Sequence, residues 1–175
     1  MNEVSKPKGS AARARGVGQI EIDAISASLS GGIGRQVYRA FLLAIETGMR
    51  KGEILGLTWG QISASVAYLS KTKNGDARQV ALTIRALEIL SEQRGLDPVK
   101  VFIVDPASAD TLFRKAVKRA GIQDLHFHDS RSEAITRLSR KLDVLELARM
   151  VGHRDLKSLL IYYAPSAEDM AKKLG

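Results

Sequence analysis

Cysteine and long hydrophobic runs are both missing from this sequence of 175 residues. Without cysteine, the chain cannot form disulfide bonds, zinc sites with thiolate ligands or thiol nucleophiles. No apolar stretch approaches the ~20 residues that a membrane-spanning helix needs, and the polar beginning of the chain is unlike a signal peptide. We therefore expect a soluble, cytoplasmic protein with no membrane partner.

What the sequence does contain is a surplus of positive charge. Hydrophobic residues make up 45% of the chain, which is enough for one domain with a buried core. Lysine and arginine total 27 against 19 acidic residues, so the formal net charge is +8. This balance favours a polyanionic partner, and nucleic acid is the first candidate. An ordinary basic protein is the alternative.

The chain divides into a short arm and one domain. Residues 1–18 are rich in Lys, Arg, Gly, Ser and Ala and cannot bury an apolar face, so we predict a flexible basic arm or linker. Residues 19–175 form the predicted domain, which is mainly α with a small antiparallel β-sheet (an α+β fold). Its "VFIV" segment is a short strand or a buried extended piece. Its helices are predicted over 20–29, 35–48, 49–57, 83–95, 108–121, 128–141, 143–152 and 155–164.

A β-hairpin is predicted between residues 65 and 82. Two runs rich in strand-forming residues, "SVAYLSK" and "ARQVAL", are joined by "TKNGD", in which Asn-Gly is a turn signal. Lys71 and Lys73 lie at this turn. The tip can carry an ammonium group into a DNA groove or onto a leaving oxygen, although most lysines in turns are simply solvated. Thr83 is the candidate N-cap of the helix that follows.

The segment "HFHDSR" places His128 and Arg131 on one face at a predicted helix start. An imidazole and a guanidinium at a helix N-terminus suit a phosphate oxygen, and an exposed polar first turn is the alternative. His126 and His128 would share a face on an extended strand and could bind a metal. The remaining histidine, His153, follows a different pattern, so we expect no metal site.

Arg50 follows the helix stop predicted at Gly48, and Glu53 lies three residues further on. At that spacing a carboxylate can hold a guanidinium in one orientation. The alternative is a surface ion pair that contributes little to stability.

Two adjacent tyrosines lie near the end of "DLKSLLIYYA". Leu156, Leu159, Leu160 and Tyr163 recur at i, i+3, i+4 and i+7, which predicts one apolar helix face with Tyr163 on it. At ~100° per residue, Tyr162 points away from that face. Tyr163 is therefore the candidate for packing and Tyr162 the candidate for chemistry, with packing by both as the alternative.

In their order along the chain, these segments resemble the catalytic domain of the tyrosine recombinases, the phage integrase family. The resemblance rests on the arginine of "TGMRKGEILGL", a lysine in the hairpin, H-x-x-R in "FHDSRSEAITRL", and "GH" followed nine residues later by tyrosine. It runs from Gln36 to Pro165, and the flanking words "LTWGQI", "ARQVAL" and "MVGHRDLKSLLIYY" match as well. It implies the fold of that catalytic domain.

The resemblance also implies roles, position by position. The catalytic residues it implies are Arg50, Lys73, His128, Arg131, His153 and Tyr162, with Glu53 and Asp129 as supporting residues. Lys73 lies five residues before the arginine of the R-x-V-x-L strand, and Lys71 is the alternative if the hairpin register slips. Ser132 departs from the family, which often has histidine there. The DNA-binding residues that we expect are Lys71, Arg78, Arg114, Lys115 and Lys118.

The reaction that the resemblance implies is the cleavage and rejoining of double-stranded DNA through a 3′-phosphotyrosine. Tyr162 would be the nucleophile and Lys73 the general acid for the leaving 5′-oxygen. His128 would act as a general base or as a hydrogen-bond donor to the phosphate, and His153 as a hydrogen-bond partner of the phosphate. No metal, ATP or other cofactor is expected.

Members of the family usually carry an N-terminal core-binding domain, which we expect to be absent here. We expect a homotetramer on DNA for the full-length protein, a monomer for this domain alone, and association with the bacterial nucleoid. The segment "SAEDMAKKLG" could pack on a neighbouring protomer or fray. The alternative functions are a type IB-like DNA topoisomerase and a catalytically silent DNA-binding module.

Overall fold

Helices make up most of the structure, a computed structural model that describes residues 15–70, 77–153, 155–163 and 167–174. The helices are α1 (Gln19–Ser28), α2 (Gly32–Thr47), α3 (Lys51–Leu55), α4 (Ile84–Ser91), α5 (Pro106–Arg119), α6 (Asp129–Leu138), α7 (Val144–Val151), α8 (Lys157–Leu160) and α9 (Ala167–Leu174). The strands β1 (Ile62–Ser63), β2 (Val66–Leu69) and β3 (Arg78–Ala81) pair antiparallel in that order. The predicted mainly α fold with a small antiparallel sheet is confirmed. Within these ranges, no helix combines the length and the apolar character needed to cross a membrane.

Helix α2 is the central element, because it is buried along most of its length and packs against α3, α4, α5 and α6. Phe41 is fully buried and meets Phe113 of α5 and Phe127 before α6, with ring centroids 4.8 and 5.5 Å away. Tilted and edge-on pairs at such distances add to the stabilisation that burial provides. This cluster holds the start of α6, which carries predicted site residues, against α2.

Gly48 ends α2 in the left-handed conformation, with φ +65°. A Cβ at this position would lie 2.9 Å from Cγ1 of Val151, the last residue of α7. Glycine is therefore required here both by the backbone and by the close approach of α7. The C-termini of α2 and α7 consequently meet, and the candidate site forms around that meeting point.

The sheet contains the predicted hairpin. Ala67 of β2 pairs with Val80 of β3, and both residues are buried, so one face of the sheet rests on the core. Arg78 occupies the first position of β3, next to the turn. Residues 71–76, in which the turn is predicted and which include Lys71 and Lys73, lie outside the described residues.

Local signals in the middle of the chain agree with the structure. Thr83 caps α4 as predicted, because its Oγ1 accepts a hydrogen bond from the N–H of Ala86 at 3.0 Å. Residues 101–104 take the second of the two predicted forms, an extended segment in which Val101, Phe102 and Val104 are buried and Ile103 is exposed. The N–H of Val101 donates to the carbonyl oxygen of Leu57 at 3.0 Å.

The predicted flexible arm extends too far along the chain. Val17 is 3% exposed, and its N–H donates to Oε2 of Glu133 on α6 at 3.0 Å. Arg15 donates to Glu21 of α1 at 2.5 Å. Residues 15–18 therefore belong to the folded domain, since one buried apolar side chain and these polar anchors hold them on α1 and α6. The rest of the predicted arm lies outside the described residues.

The closing helix is much shorter than predicted. Helix α8 ends at Leu160, and the N–H groups of Tyr162 and Tyr163 donate three residues back, to Leu159 and Leu160. This tighter turn breaks the rotation per residue on which the predicted apolar face depends. Leu159 is buried, but Leu160 is 53% exposed and Leu156 is 38% exposed. The prediction of a continuous apolar face ending at Tyr163 is therefore wrong.

Candidate active site

Most of the predicted catalytic residues line two neighbouring cavities in the described part of the chain. The first, which we call the arginine cavity, has a volume of about 290 Å³ and is lined by Arg50, His128 and Arg131, among others. The second, the tyrosine cavity, has a volume of about 100 Å³ and is lined by His128, Arg131, His153 and Tyr162, among others. Because His128 and Arg131 line both cavities, the cavities adjoin and form one candidate site.

Arg131 lies where α6 meets the ends of α2 and α7. Its side chain is buried, and its guanidinium donates to the carbonyl oxygens of Gly48 and, at 2.6 Å, Val151. Carbonyl groups at helix C-termini lack helical partners and carry partial negative charge, so a cation is well placed there. Burial, together with the charges of Arg50 and Arg78, lowers the pKa of Arg131 to about 10. Arg131 therefore remains charged at neutral pH.

Arg50 presents a more accessible guanidinium to the arginine cavity, with a side chain that is 36% exposed. Its backbone N–H and its Nη1 donate to Glu53 at 2.7 and 3.1 Å, and its Nη2 donates to the carbonyl oxygen of Gly152 at 3.4 Å. The predicted pairing of Arg50 with Glu53 is therefore present. It differs from an ordinary surface ion pair because the Glu53 side chain is only 9% exposed.

Arg78 shares the Glu53 carboxylate with Arg50. Its Nη1 and Nη2 donate to the two carboxylate oxygens at 2.8 and 2.7 Å, and its Nε donates to the carbonyl oxygen of Met150 at 2.9 Å. Burial alone raises the pKa of the Glu53 carboxyl, but the hydrogen bonds from Arg78 and from the backbone of Arg50 outweigh it and hold that pKa below its usual range. The structure does not support the prediction that Arg78 contacts DNA, because its guanidinium is buried on internal acceptors.

Several arginines thus converge on the last turn of α7. Arg78, Arg131 and Arg50 donate in turn to the carbonyl oxygens of residues 150, 151 and 152. These carbonyls form the negative end of the helix dipole, which favours neighbouring cations. The end of α7 therefore gathers the positive charges of the site and fixes the loop that carries His153.

Both histidines lie beside these cations, His153 partly buried and His128 more exposed at the mouth of the two cavities. Burial is the main cause that lowers the pKa of each imidazole below its usual value, and the charges of Arg131 and Arg50 lower it further. Both rings are consequently neutral at neutral pH. A neutral imidazole has one N–H donor and one nitrogen lone pair, and the contacts of each ring decide which of the two faces a substrate.

A serine that the sequence analysis did not identify contacts His153. The ring Nδ1 lies 2.9 Å from Oγ of Ser158, and this hydroxyl donates to the carbonyl oxygen of Asp155 at 2.7 Å. Ser158 also lines the tyrosine cavity beside Tyr162. Its sequence signal is weak, because a single serine near a helix start is usually a cap or a solvent contact.

The structure gives the adjacent tyrosines different surroundings. The Tyr163 hydroxyl donates to the carbonyl oxygen of Leu142 at 2.7 Å, whereas Tyr162 lines the tyrosine cavity with His128 and Arg131. Burial raises the pKa of both phenols above the usual value. A phenol with a raised pKa reacts as a nucleophile only when a base and nearby positive charges assist it, and the tyrosine cavity contains both kinds of group.

Comparison with known sequences identifies the family to which this arrangement belongs. The sequence profile of the phage integrase family matches residues 21–169. The chain belongs to the phage integrase family.

Curated relatives within the phage integrase family are considerably longer than this chain. A putative integrase/recombinase of Haemophilus influenzae is 43% identical over 140 residues, which are 77% of this chain and 46% of that protein. The shufflon-specific DNA recombinase of Escherichia coli is 40% identical over 142 residues, which are 79% of this chain and 37% of that protein. The chain thus spans less than half the length of these relatives.

Solved structures of integrases share the fold. The catalytic domain of bacteriophage HP1 integrase matches with a TM-score of 0.71 at 20% identity, covering 91% of this chain and 94% of that one. The XerA recombinase matches with a TM-score of 0.68 at 19% identity, covering 91% of this chain and 63% of that one. The predicted tyrosine recombinase catalytic-domain fold is confirmed.

The remaining site residues that the family resemblance predicts differ in what the structure says of them. Asp129 is buried, and its Oδ2 accepts a hydrogen bond from the N–H of His126 at 2.7 Å, so it holds the turn that leads into α6. Ser132 lines the tyrosine cavity. Lys73 and Lys71 lie outside the described residues, so their assignments stay predictions.

Helix α5 extends the positively charged surface from the edge of the arginine cavity outwards. Arg114 lines that cavity, and Lys115 and Lys118 are exposed further along the helix. Lys51, which the sequence analysis did not identify, also lines the cavity and forms an ion pair with Asp110. When cationic side chains bind DNA phosphates, they release the counterions condensed on the DNA, and this release favours binding to a surface of this kind.

Proposed function

We propose that this chain is the catalytic domain of a site-specific DNA recombinase. Tyr162 attacks a DNA phosphate, the bond from phosphorus to the 5′-oxygen breaks, and a 3′-phosphotyrosine retains the bond energy until the strand is rejoined. The observation that supports this most strongly is the tyrosine cavity, where a tyrosine lies beside two histidines and a buried arginine.

Arg50 and Arg131 hold the non-bridging oxygens of the phosphate in this proposal. Both are positioned by acceptors outside the cavity, namely Glu53 and helix-terminal carbonyls, so they need no rearrangement as negative charge develops. A donor placed in advance in this way contributes roughly 2.7–4 kcal/mol in a measured oxyanion site. Arginine suits this function because its planar group binds two phosphate oxygens and keeps its charge.

Proton transfers complete the proposed step. His128 accepts the proton of the Tyr162 hydroxyl, and Lys73 donates a proton to the leaving 5′-oxygen. The lowered pKa of His128 supports its function as a base, since the ring is neutral before reaction. No metal, ATP or other cofactor takes part, because arginines balance the developing charge and the phosphotyrosine conserves the bond energy.

Double-stranded DNA is the proposed partner, and four copies of the full-length protein act on paired sites. One lambda integrase among the structural matches is described as a tetramer bound to a Holliday junction. We propose the same assembly for the longer protein, a monomer for this domain alone, and action on DNA in the cytoplasm, at the bacterial nucleoid. Arg114, Lys115 and Lys118 on α5 are proposed to contact DNA phosphates beside the site.

Covalent capture tests this function without knowledge of the target site. The chain is incubated with a pool of nicked duplexes whose sequence is randomised around the nick, and DNA that stays attached after denaturation is recovered and sequenced. The expected result is an adduct with the unaltered chain and with Tyr163→Phe, but none with Tyr162→Phe. These two variants are matched, because each removes one hydroxyl from adjacent positions.

The outcomes also separate the alternatives. DNA binding without any adduct would contradict the proposed activity and favour a silent DNA-binding module. An adduct whose products are only relaxed supercoils, with no strand exchange between recovered sites, would favour a type IB-like topoisomerase.

A further inference from the structure

The contact between His153 and Ser158 bears on which ring nitrogen of His153 carries the proton. Nδ1 of His153 lies 2.9 Å from Oγ of Ser158, and the same Oγ lies 2.7 Å from the carbonyl oxygen of Asp155. A hydroxyl has one proton and can also accept, a carbonyl oxygen only accepts, and a neutral imidazole nitrogen does either.

The carbonyl decides the direction of both hydrogen bonds. An oxygen pair at 2.7 Å requires a proton between its members, so the Ser158 proton points to Asp155. The serine oxygen then meets Nδ1 with its lone pair, and Nδ1 must supply the proton of that second bond. The neutral ring therefore carries its proton on Nδ1 and leaves Nε2 with a lone pair.

We propose that Ser158 is a positioning residue that holds His153 as the Nδ1–H tautomer in the free protein. Its catalytic consequence rests on the proposed function. His153 and Ser158 line the same cavity as Tyr162, so Nε2 is the ring nitrogen that remains for reacting groups. In this tautomer the neutral ring accepts a hydrogen bond at Nε2 and cannot donate one.

This tautomer changes how His153 can assist a phosphate. Phosphate oxygens are acceptors, so His153 bonds them only after Nε2 has gained a proton from solution. Among the residues that the structure describes, Arg131, Arg50, Asp155 and His128 act electrostatically on the ring, and Tyr162 lines the same cavity. Docking of an anion offsets the charges of the arginines, which otherwise oppose protonation of the ring. Without the Ser158 hydroxyl, the neutral ring can place its proton on Nε2 and donate without taking up another.

Nuclear magnetic resonance of the free chain tests the tautomer directly. The chain has three histidines, so the ring nitrogens of His153 are assigned by their loss in His153→Gln. Above the pH at which the rings titrate, we expect protonated Nδ1 in the unaltered chain and in Ser158→Thr, and a gain of protonated Nε2 in Ser158→Ala. Protonated Nε2 in the unaltered chain, or no change in Ser158→Ala, would overturn the proposal. Alanine favours a helix more than serine does, so we expect the variant to fold.

Proton uptake gives a second measurement that a merely structural serine would not affect. Sulfate is the probe, because it presents acceptor oxygens like those of phosphate but does not titrate near neutral pH. Calorimetry in buffers of different ionisation enthalpy counts the protons taken up when sulfate binds. We expect roughly one proton more in the unaltered chain and Ser158→Thr than in Ser158→Ala and His153→Gln. Equal uptake in the unaltered chain and Ser158→Ala would contradict the proposal.

Cleavage connects the tautomer to the proposed function. With a DNA sequence recovered by covalent capture, Ser158→Ala should form the adduct roughly tenfold more slowly, because its neutral ring makes a weaker hydrogen bond to the phosphate than the protonated ring of the unaltered chain. Ser158→Thr should stay close to the unaltered chain. Equal rates in Ser158→Ala would overturn the positioning function. Failure of the unaltered chain to form any adduct would instead contradict the proposed recombinase activity, while the resonance experiment still decides the tautomer.

Discussion

Replacing Arg78 by methionine should destabilise the fold severely, because Arg78 neutralises a buried carboxylate. The Arg78 and Glu53 side chains are 8% and 9% exposed and are joined by two hydrogen bonds of 2.7 and 2.8 Å. Removing one partner of a buried pair costs about 3–5 kcal/mol, and without Arg78 the Glu53 carboxylate would keep only its contacts with the more exposed Arg50. Arg78→Met should therefore lower the free energy of unfolding by that amount.

Urea denaturation followed by circular dichroism measures this loss. In a chain of this length about 1 kcal/mol corresponds to ~2–4 °C, so the thermal midpoint should fall by roughly 6–20 °C. The matched control is Arg85→Met, which removes an arginine from an exposed ion pair. The side chains of Arg85 and its partner Glu88 are 53% and 54% exposed. That change should shift stability by less than about 1 kcal/mol.

A double variant separates the charge from the loss of packing. Arg78→Met combined with Glu53→Met removes both charges, so much of the lost stability should return, as it does when buried ion pairs elsewhere are replaced by apolar residues. Equal unfolding midpoints for Arg78→Met and the Arg85→Met control would show that Arg78 does not stabilise a buried carboxylate. If that variant also lost DNA affinity, the sequence-based assignment of Arg78 to DNA contact would be restored.

Three further predictions concern stability. The pKa of Glu53 is lowered in the folded state, so its pairing stabilises the fold above the usual carboxyl pKa of ~4.3. This contribution is lost as the pH falls through the lowered pKa. Urea denaturation across acid pH should show this decline in the unaltered chain and a smaller decline in Glu53→Gln. Gly48→Ala should lower the free energy of unfolding by at least about 1–2 kcal/mol, because φ is +65° and the new Cβ would lie 2.9 Å from Val151. Gly52→Ala has open space around its Cβ and should not lower it. Equal urea midpoints for the two variants would contradict this. Tyr163→Phe should lose about 0.5–1.5 kcal/mol with its backbone hydrogen bond and still form the DNA adduct; loss of the adduct with unchanged stability would show that the two tyrosines had been assigned the wrong way round.

Elements with local signals were predictable from the sequence. Helix α2 carries an apolar pattern that ends at Gly48, and the sequence places Asn-Gly, a turn signal, between the two strand-forming runs that pair in the structure. The Thr83 cap bonds a backbone N–H only three residues away. Such features depend on short-range geometry, so the residues themselves contain the necessary information.

The destination of Arg78 was not predictable in the same way. The strand pattern indicates which way a side chain points, but it does not show what lies there. The partner of Arg78 is a carboxylate 25 residues earlier in the chain, and its third acceptor is 72 residues later. The same limit applies to Arg131, whose acceptor at Gly48 is 83 residues away. The packing of α3 and α6 on α2, and of β3 and α6 on α7, brings these groups together.

The tyrosine pair shows how a useful distinction can rest on a wrong premise. The prediction assigned Tyr163 to packing, and its hydroxyl does bond to the backbone of Leu142. The helix face used to argue this is not present, because the chain tightens after Leu160. Ser158 was not predicted as a site residue, because sequence spacing alone does not show that its Oγ meets Nδ1 of His153, five residues earlier.

The most direct test of the central claim is to locate the DNA attachment on the protein. The covalent adduct is digested with nuclease and trypsin, and the peptide spanning residues 158–172, which contains both tyrosines, is sequenced by mass spectrometry. We expect a nucleotide linked through its 3′-phosphate to Tyr162. A nucleotide on Tyr163 or on any other residue would contradict it.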